Sequence, residues 1–170
     1  GGVAVTDVVD EDDRVAHVLA APLDADEVEG VVDWPRRWDH MQQHTGQHLL
    51  SAIGADRFGW ETVSVHFGAE SSTIDFGVES IGPETLQELE RLANAGVTEN
   101  RPVTVTFEEA EMATGLRKPS DRGGVLRIVS IEGIDRSACG GTHVRATGEI
   151  GAIVLRRVEK VRKATRVEFL

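Results

Sequence analysis

Apolar and polar residues alternate at the start of the chain. Residues 3–9 (VAVTDVV) follow a period of two and predict a strand. After the acidic turn Asp10-Glu11-Asp12-Asp13, residues 14–20 (RVAHVLA) predict a second strand. Residues 21–33 are acidic and loop-like, with Val31-Val32 as a short apolar pair. Residues 1–33 therefore read as part of a small β subdomain. From about Trp38 the period lengthens: Met41, His44, Thr45, His48 and Leu49 recur at helical spacing. The pattern predicts a helix from Trp38 to a stop at Gly54, with Pro35 limiting how early it begins. Residues 62–67 and 72–78 predict two strands. A second helix is predicted from Pro83 to Ala95, with Pro83 in its first turn, Gly96 as its cap, and Leu86, Leu89 and Ala93 on its core face. Residues 103–107, 125–131, 150–157 and 165–169 predict further strands, and 108–114 a short helix. Helices that interrupt runs of short strands point to an α+β fold, with helices packed on a largely antiparallel sheet, over residues 34–170.

Composition changes little in this picture. The 170 residues are 40% hydrophobic and 28% charged, ordinary for a soluble domain able to bury a core without disulfides. The single cysteine, Cys139, excludes an intrachain disulfide and fits a reducing cytoplasm. No apolar run approaches the roughly 18 residues of a membrane helix, and no signal peptide is visible. The first residues lack an initiating Met and enter a strand pattern at once, as expected of a piece of a longer chain.

Charge is distributed unevenly. Residues 1–111 carry 6 Lys/Arg against 23 Asp/Glu, a net of −17; residues 112–170 carry 12 against 6, a net of +6. A basic face on an acidic protein suits contact with RNA phosphates, although a solvated surface has the same composition.

Two short motifs carry candidate chemistry. His44 and His48 are four apart on the predicted helix, on one face and one turn apart. Cys139 and His143 flank Gly140-Gly141-Thr142 in a turn that the glycines let bend. One sulfur and three imidazoles suit Zn2+. Four protein ligands would close the shell, as in a structural site; a position left open would make the ion catalytic. Alternatively, Cys139 is a nucleophile with His143 as its base, a reading that leaves His44 and His48 unused.

These residues carry a resemblance. RRWDHMQQHTGQHLLSA (36–52) and DRSACGGTHV (135–144) resemble the editing domain of alanyl-tRNA synthetases, and most of all their freestanding AlaX relatives. The likeness continues through VHFG (65–68), STIDF (72–76), LQELERLAN (86–94), RPV (101–103) and RKATRVEF (162–169), so that it covers roughly 31–170. It implies a zinc held by His44, His48, Cys139 and His143, and hydrolysis of the ester joining a wrong amino acid, chiefly serine and also glycine, to tRNA(Ala). It also implies that Thr45 looks toward the bound amino acid, where it would sense the serine hydroxyl; the alternative is a helix threonine bonded to its own backbone carbonyl.

Serine differs from alanine by one hydroxyl, which an apolar pocket rejects poorly, so a second, hydrolytic site is needed. Gln47 and His66 are further candidates for the pocket, and Asp75 for orienting a neighbour. Arg117, Lys118, Arg122, Arg156, Arg157, Lys160, Arg162, Lys163 and Arg166 are candidates for the acceptor end of the tRNA. The Gly-Gly-Gly-Gln type motif of the freestanding members' N-terminal β subdomain is not found: Gly1-Gly2 precedes Val3. Residues 1–33 are thus expected to be a truncated form of that subdomain, and a C-terminal domain found in longer relatives is expected to have followed Leu170. The rival readings are a non-catalytic tRNA-binding module with a structural zinc, and a zinc hydrolase of small esters or amides.

Overall fold

A computed structural model describes residues 2–68 and 70–170. The chain divides into two compact units, Gly1–Val32 and Asp33–Leu170. In the first, β1 (Val5–Asp10) and β2 (Val15–Leu19) form an antiparallel hairpin. Its turn is closed by the Glu11 N–H, which donates to the Arg14 carbonyl, and by Asp12 at a φ of 63°.

Among the described residues, the second unit is built on two α-helices and seven strands. The first helix, α1 (Trp34–Phe58), begins where Asp33 accepts a hydrogen bond from the Arg36 N–H. It starts four residues before the predicted position, because Pro35 sits inside the first turn, where its missing N–H costs nothing. It also runs past Gly54. The end is Gly59, at a φ of 69°. Gly54 is instead a packing residue: a Cβ there would come within 2.7 Å of the Phe76 ring. The second helix, α2 (Pro83–Thr98), likewise passes Gly96, which lies against Leu49.

All strand pairings in this unit are antiparallel. β3 (Thr62–Phe67), β4 (Ser72–Phe76), β8 (Leu155–Val161) and β9 (Ala164–Phe169) form a sheet in the order β3-β4-β9-β8. β5 (Val103–Glu109), β6 (Val125–Ile131) and β7 (Asp135–Ala138) form a second sheet in sequence order. Residues 108–114 are not helical: β5 extends to Glu109 and a turn follows. The expected strand at 150–157 is displaced, with a 3-10 turn at Thr147–Ile150 before β8.

The core lies between helices and sheet. Leu49 and Leu50 of α1 meet Ile74 and Phe76 of β4, Val167 and Phe169 of β9, and Leu89 and Ala93 of α2. Each of these side chains larger than alanine contributes roughly 1.5–3 kcal/mol by leaving water. This packing fixes the rotation of α1, so that the stripe bearing His44 and His48 is held beside the second sheet. Among the described residues, no helix is long and apolar enough to cross a membrane.

Candidate metal centre

Helix α1 brings His44 and His48 to the end of β7. The β6–β7 hairpin turns through Gly133, at a φ of 68°, and its ladder runs on to the Cys139 N–H, which donates to the Arg127 carbonyl at 3.0 Å. The chain then bends through Gly140 and Gly141 and returns His143 to α1. Arg127 holds this bend from behind: its Nη1 donates to the carbonyls of Cys139 at 2.7 Å and Gly141 at 2.8 Å.

The four side chains converge. One ligand atom from each of His44, His48, Cys139 and His143 lies within 4.8 Å of the others. Cys139 Sγ is 3.5 Å from His44 Nε2 and 3.4 Å from His143 Nε2. Those separations approximate the edges of a tetrahedron with bonds of about 2.0–2.3 Å, the length zinc makes to nitrogen and sulfur. Gly141 is required by this approach, since a Cβ on it would come within 2.6 Å of His44 Nδ1. Gly140 faces open space.

The electrostatics also suit a cation. Burial pushes the Cys139 thiol up, but hydrogen bonds from His143, His44, His48 and the Gly141 N–H outweigh it and hold the thiol down at about 3. The sulfur is therefore a thiolate at neutral pH, the form that binds metals. Burial lowers the pKa of His48, but its contacts with Asp135 and Cys139 leave it above the ordinary value. Burial, with the neighbouring imidazoles, leaves His143 below it.

Each imidazole seen in a network keeps one nitrogen for the centre. His48 Nδ1 is 2.7 Å from Asp135 Oδ2, which leaves Nε2 facing inward. His143 Nδ1 is 3.1 Å from Thr45 Oγ1. Asp135 also accepts from Arg117 Nε at 2.7 Å. Although burial raises its pKa, the bonds from His48 and Arg117 outweigh that and hold it below the carboxylate range. The His44 ring rests on Phe67, with centroids 5.2 Å apart.

The remaining candidates separate. Thr45 is fully buried. Its hydroxyl donates to the Met41 carbonyl at 2.8 Å, accepts from the Val144 N–H at 3.2 Å, and lies against His143 Nδ1. One proton and two lone pairs are all a threonine hydroxyl has, and these contacts use them. Gln47 lines a cleft of about 330 Å³ together with His48, Thr62, Ser64, Arg117 and Ser137. Its Nε2 donates to Ser51 Oγ at 2.7 Å, and Thr62 Oγ1 donates to the same oxygen at 2.8 Å. His66 is not brought to the cluster. Val65 and Phe67 on either side pack toward the core, so His66 projects from the opposite face of β3 and is exposed.

The basic residues divide as well. Arg117 is only 19% exposed and is committed to Asp135. Arg166 makes a two-pronged pair with Asp75, at 2.7 and 2.9 Å. Lys118 and Arg122 are exposed on the loop that flanks the cleft. Arg156, Arg157 and Lys160 lie on the edge strand β8, and Arg162 and Lys163 in its turn to β9, all exposed. Several of these have acidic neighbours: Lys118 meets Glu61, Arg156 Glu168, Arg157 Glu159, and Lys160 Glu79.

Comparison with known proteins bears on this site. Residues 126–167, which include Cys139 and His143, match the threonyl and alanyl tRNA synthetase second additional domain. The whole chain aligns at 38% identity with 43% of alanyl-tRNA editing protein Aarsd1-A of Xenopus laevis. Over its length the chain is similar to alanyl-tRNA editing proteins. Likewise, 99% of the chain aligns at 35% identity with 39% of alanyl-tRNA editing protein Aarsd1 of Bos taurus. With alanyl-tRNA editing protein AlaX-M of Methanosarcina acetivorans the identity is 35%, over 83% of the chain and 61% of the relative. The chain thus spans less than two thirds of the length of these editing proteins.

Sequence reasoning did not single out Asp135, Ser137, Arg127 or Phe67. Asp135 was the most accessible to it. A metal-binding histidine usually gives its second nitrogen to a carboxylate or carbonyl, and Asp135 lies four residues before Cys139 on a short polar strand that reads as loop.

Proposed function

We propose that the chain hydrolyses the ester bond of mischarged tRNA(Ala), chiefly seryl and also glycyl, at a zinc site formed by His44, His48, Cys139 and His143. In this reading residues 34–170 are the editing domain, residues 1–33 are part of an N-terminal β subdomain, and the protein works in the cytoplasm. The convergence of one thiolate and three imidazoles beside a cleft carries the proposal, and the likeness to alanyl-tRNA editing proteins supports it. Bound there, the ion would supply Lewis-acid polarisation of the ester carbonyl.

The protein's own groups do the rest. The cleft beside His48 receives the amino acid. Gln47, braced by Ser51 and Thr62, offers its amide to the seryl hydroxyl. Alanine would leave unpaired the part of that amide not bonded to Ser51, a loss that a buried polar group makes expensive, at roughly 1–3 kcal/mol. Thr45 has no capacity left for substrate and instead steers His143. Lys118 and Arg122, with Arg156, Arg157, Lys160, Arg162 and Lys163, supply sequence-independent contacts to the phosphates of the acceptor end.

The test is deacylation of seryl, glycyl and alanyl esters of one tRNA(Ala). Seryl esters are expected to be hydrolysed fastest, glycyl esters, which lack the hydroxyl, more slowly, and alanyl esters to be largely spared. Thr45→Val should keep that preference while weakening the hold on zinc; Gln47→Ala should erode the preference for seryl. Equal rates for all three esters contradict the reading. The four-ligand count also favours a structural ion in a tRNA-binding module. Retained tRNA binding with no hydrolysis of any ester would establish that alternative.

A further inference from the structure

We infer that Asp135 is a positioning residue for the metal centre: it fixes the orientation of His48 and ties that ligand, through Arg117, to the wall of the cleft. The inference rests on the zinc reading above. Asp135 has a side chain with no exposure to solvent, and every neighbour of its two oxygens is a donor. Oδ1 accepts from Arg117 Nε at 2.7 Å, and Oδ2 lies 2.7 Å from His48 Nδ1. Ser137 Oγ is 3.0 Å from both oxygens, and Arg117 Nη2 donates to Ser137 Oγ at 3.2 Å. Only an ionised carboxylate is acceptor on both sides. An amide in its place must turn its NH2 toward either the guanidinium or the imidazole N–H, so one of those contacts becomes repulsive.

The geometry decides which nitrogen of His48 faces the centre. With Nδ1–H donated to Asp135, Nε2 is left as the only lone pair available to a metal. Freed from Asp135, the ring can flip or change tautomer. Arg117 extends the same carboxylate to the loop Arg117-Lys118-Pro119-Ser120, which walls the cleft beside His48 and Gln47. The backbone of that loop is fixed too: the Arg117 N–H donates to the Arg136 carbonyl at 2.8 Å, on the strand that carries Asp135. One buried carboxylate therefore orients a ligand and anchors the substrate wall.

The experiment is zinc affinity, measured by competition with a chromogenic chelator, for the wild type, Asp135→Asn and Arg117→Gln. Cobalt is then substituted for zinc, and its visible absorption is recorded. Outer partners of this kind are worth about 10- to 100-fold in metal affinity, and that loss is expected for Asp135→Asn, with a shifted cobalt band. Arg117→Gln is expected to lose affinity in the same direction, by less. Should Asp135→Asn fail to fold, Arg117→Gln decides: a weakened site supports the chain of contacts, and unchanged affinity overturns it. Affinity within about twofold of wild type for Asp135→Asn, with an unshifted band, overturns the inference. A wild type that binds no zinc overturns the zinc reading itself, a separate and distinguishable failure.

Discussion

Cys139→Ser is expected to release the zinc and lower seryl-ester hydrolysis by about a thousandfold, a barrier increase of roughly 4 kcal/mol at about 1.4 kcal/mol per decade. The exchange keeps the shape of the side chain and changes its chemistry. The thiol is held down at about 3 by His143, His44, His48 and the Gly141 N–H, so the sulfur carries a full charge at neutral pH. A serine hydroxyl in that place stays protonated and offers zinc a hard, neutral oxygen where a soft thiolate stood. Three imidazoles alone then have to hold the ion. Metal content by elemental analysis and single-turnover deacylation check both halves. A serine variant with wild-type zinc content and rate would show that the cluster is not the metal site. Loss of zinc with hydrolysis intact would assign the ion a structural role.

Gly141→Ala is expected to have an effect nearly as large without touching a ligand. The new methyl group would come within 2.6 Å of His44 Nδ1, so the ring has to move. His44 has little room to do so, with Phe67 at 5.2 Å and His143 at 4.2 Å between ring centroids. Arg127 clamps the carbonyls of Cys139 and Gly141, so the bend cannot easily retreat. Misplacement by about 1 Å typically costs on the order of a hundredfold in rate, and that loss, with weaker zinc binding, is the expected result. Gly140→Ala is the control. A Cβ there meets nothing within 4 Å, and both rate and metal affinity should stay within about twofold of wild type. Equal behaviour of the two variants would mean that the His44 contact does not matter.

Much of this was legible from residue types and spacing. The four donors were, because histidines four apart on a helix share a face and zinc selects sulfur and nitrogen. The two helices were legible as well, but their ends were not. Gly54 and Gly96 looked like stops, yet both are interior glycines chosen for contact with Phe76 and Leu49. A glycine that admits a ring from another element is indistinguishable in sequence from one that ends a helix.

The roles of individual polar residues were least legible, because they depend on partners far away in the chain. Arg117 and Arg166 looked like phosphate contacts, but Asp135 and Asp75 claim them. Thr45 had two readings, facing a substrate or bonding its own helix; its hydroxyl donates to the Met41 carbonyl, and Val144 and His143, about a hundred residues on, take the rest of its capacity. β7 was missed because Asp135-Arg136-Ser137-Ala138 buries its polar residues at 135 and 137, the reverse of the usual strand pattern.

The most direct measurement is X-ray absorption at the zinc edge of the purified protein, with metal stoichiometry determined on the same sample. The account predicts one zinc per chain, surrounded by a single sulfur at about 2.3 Å and three nitrogens at about 2.0–2.1 Å. A protein that takes up no zinc, or a shell without sulfur, would contradict it.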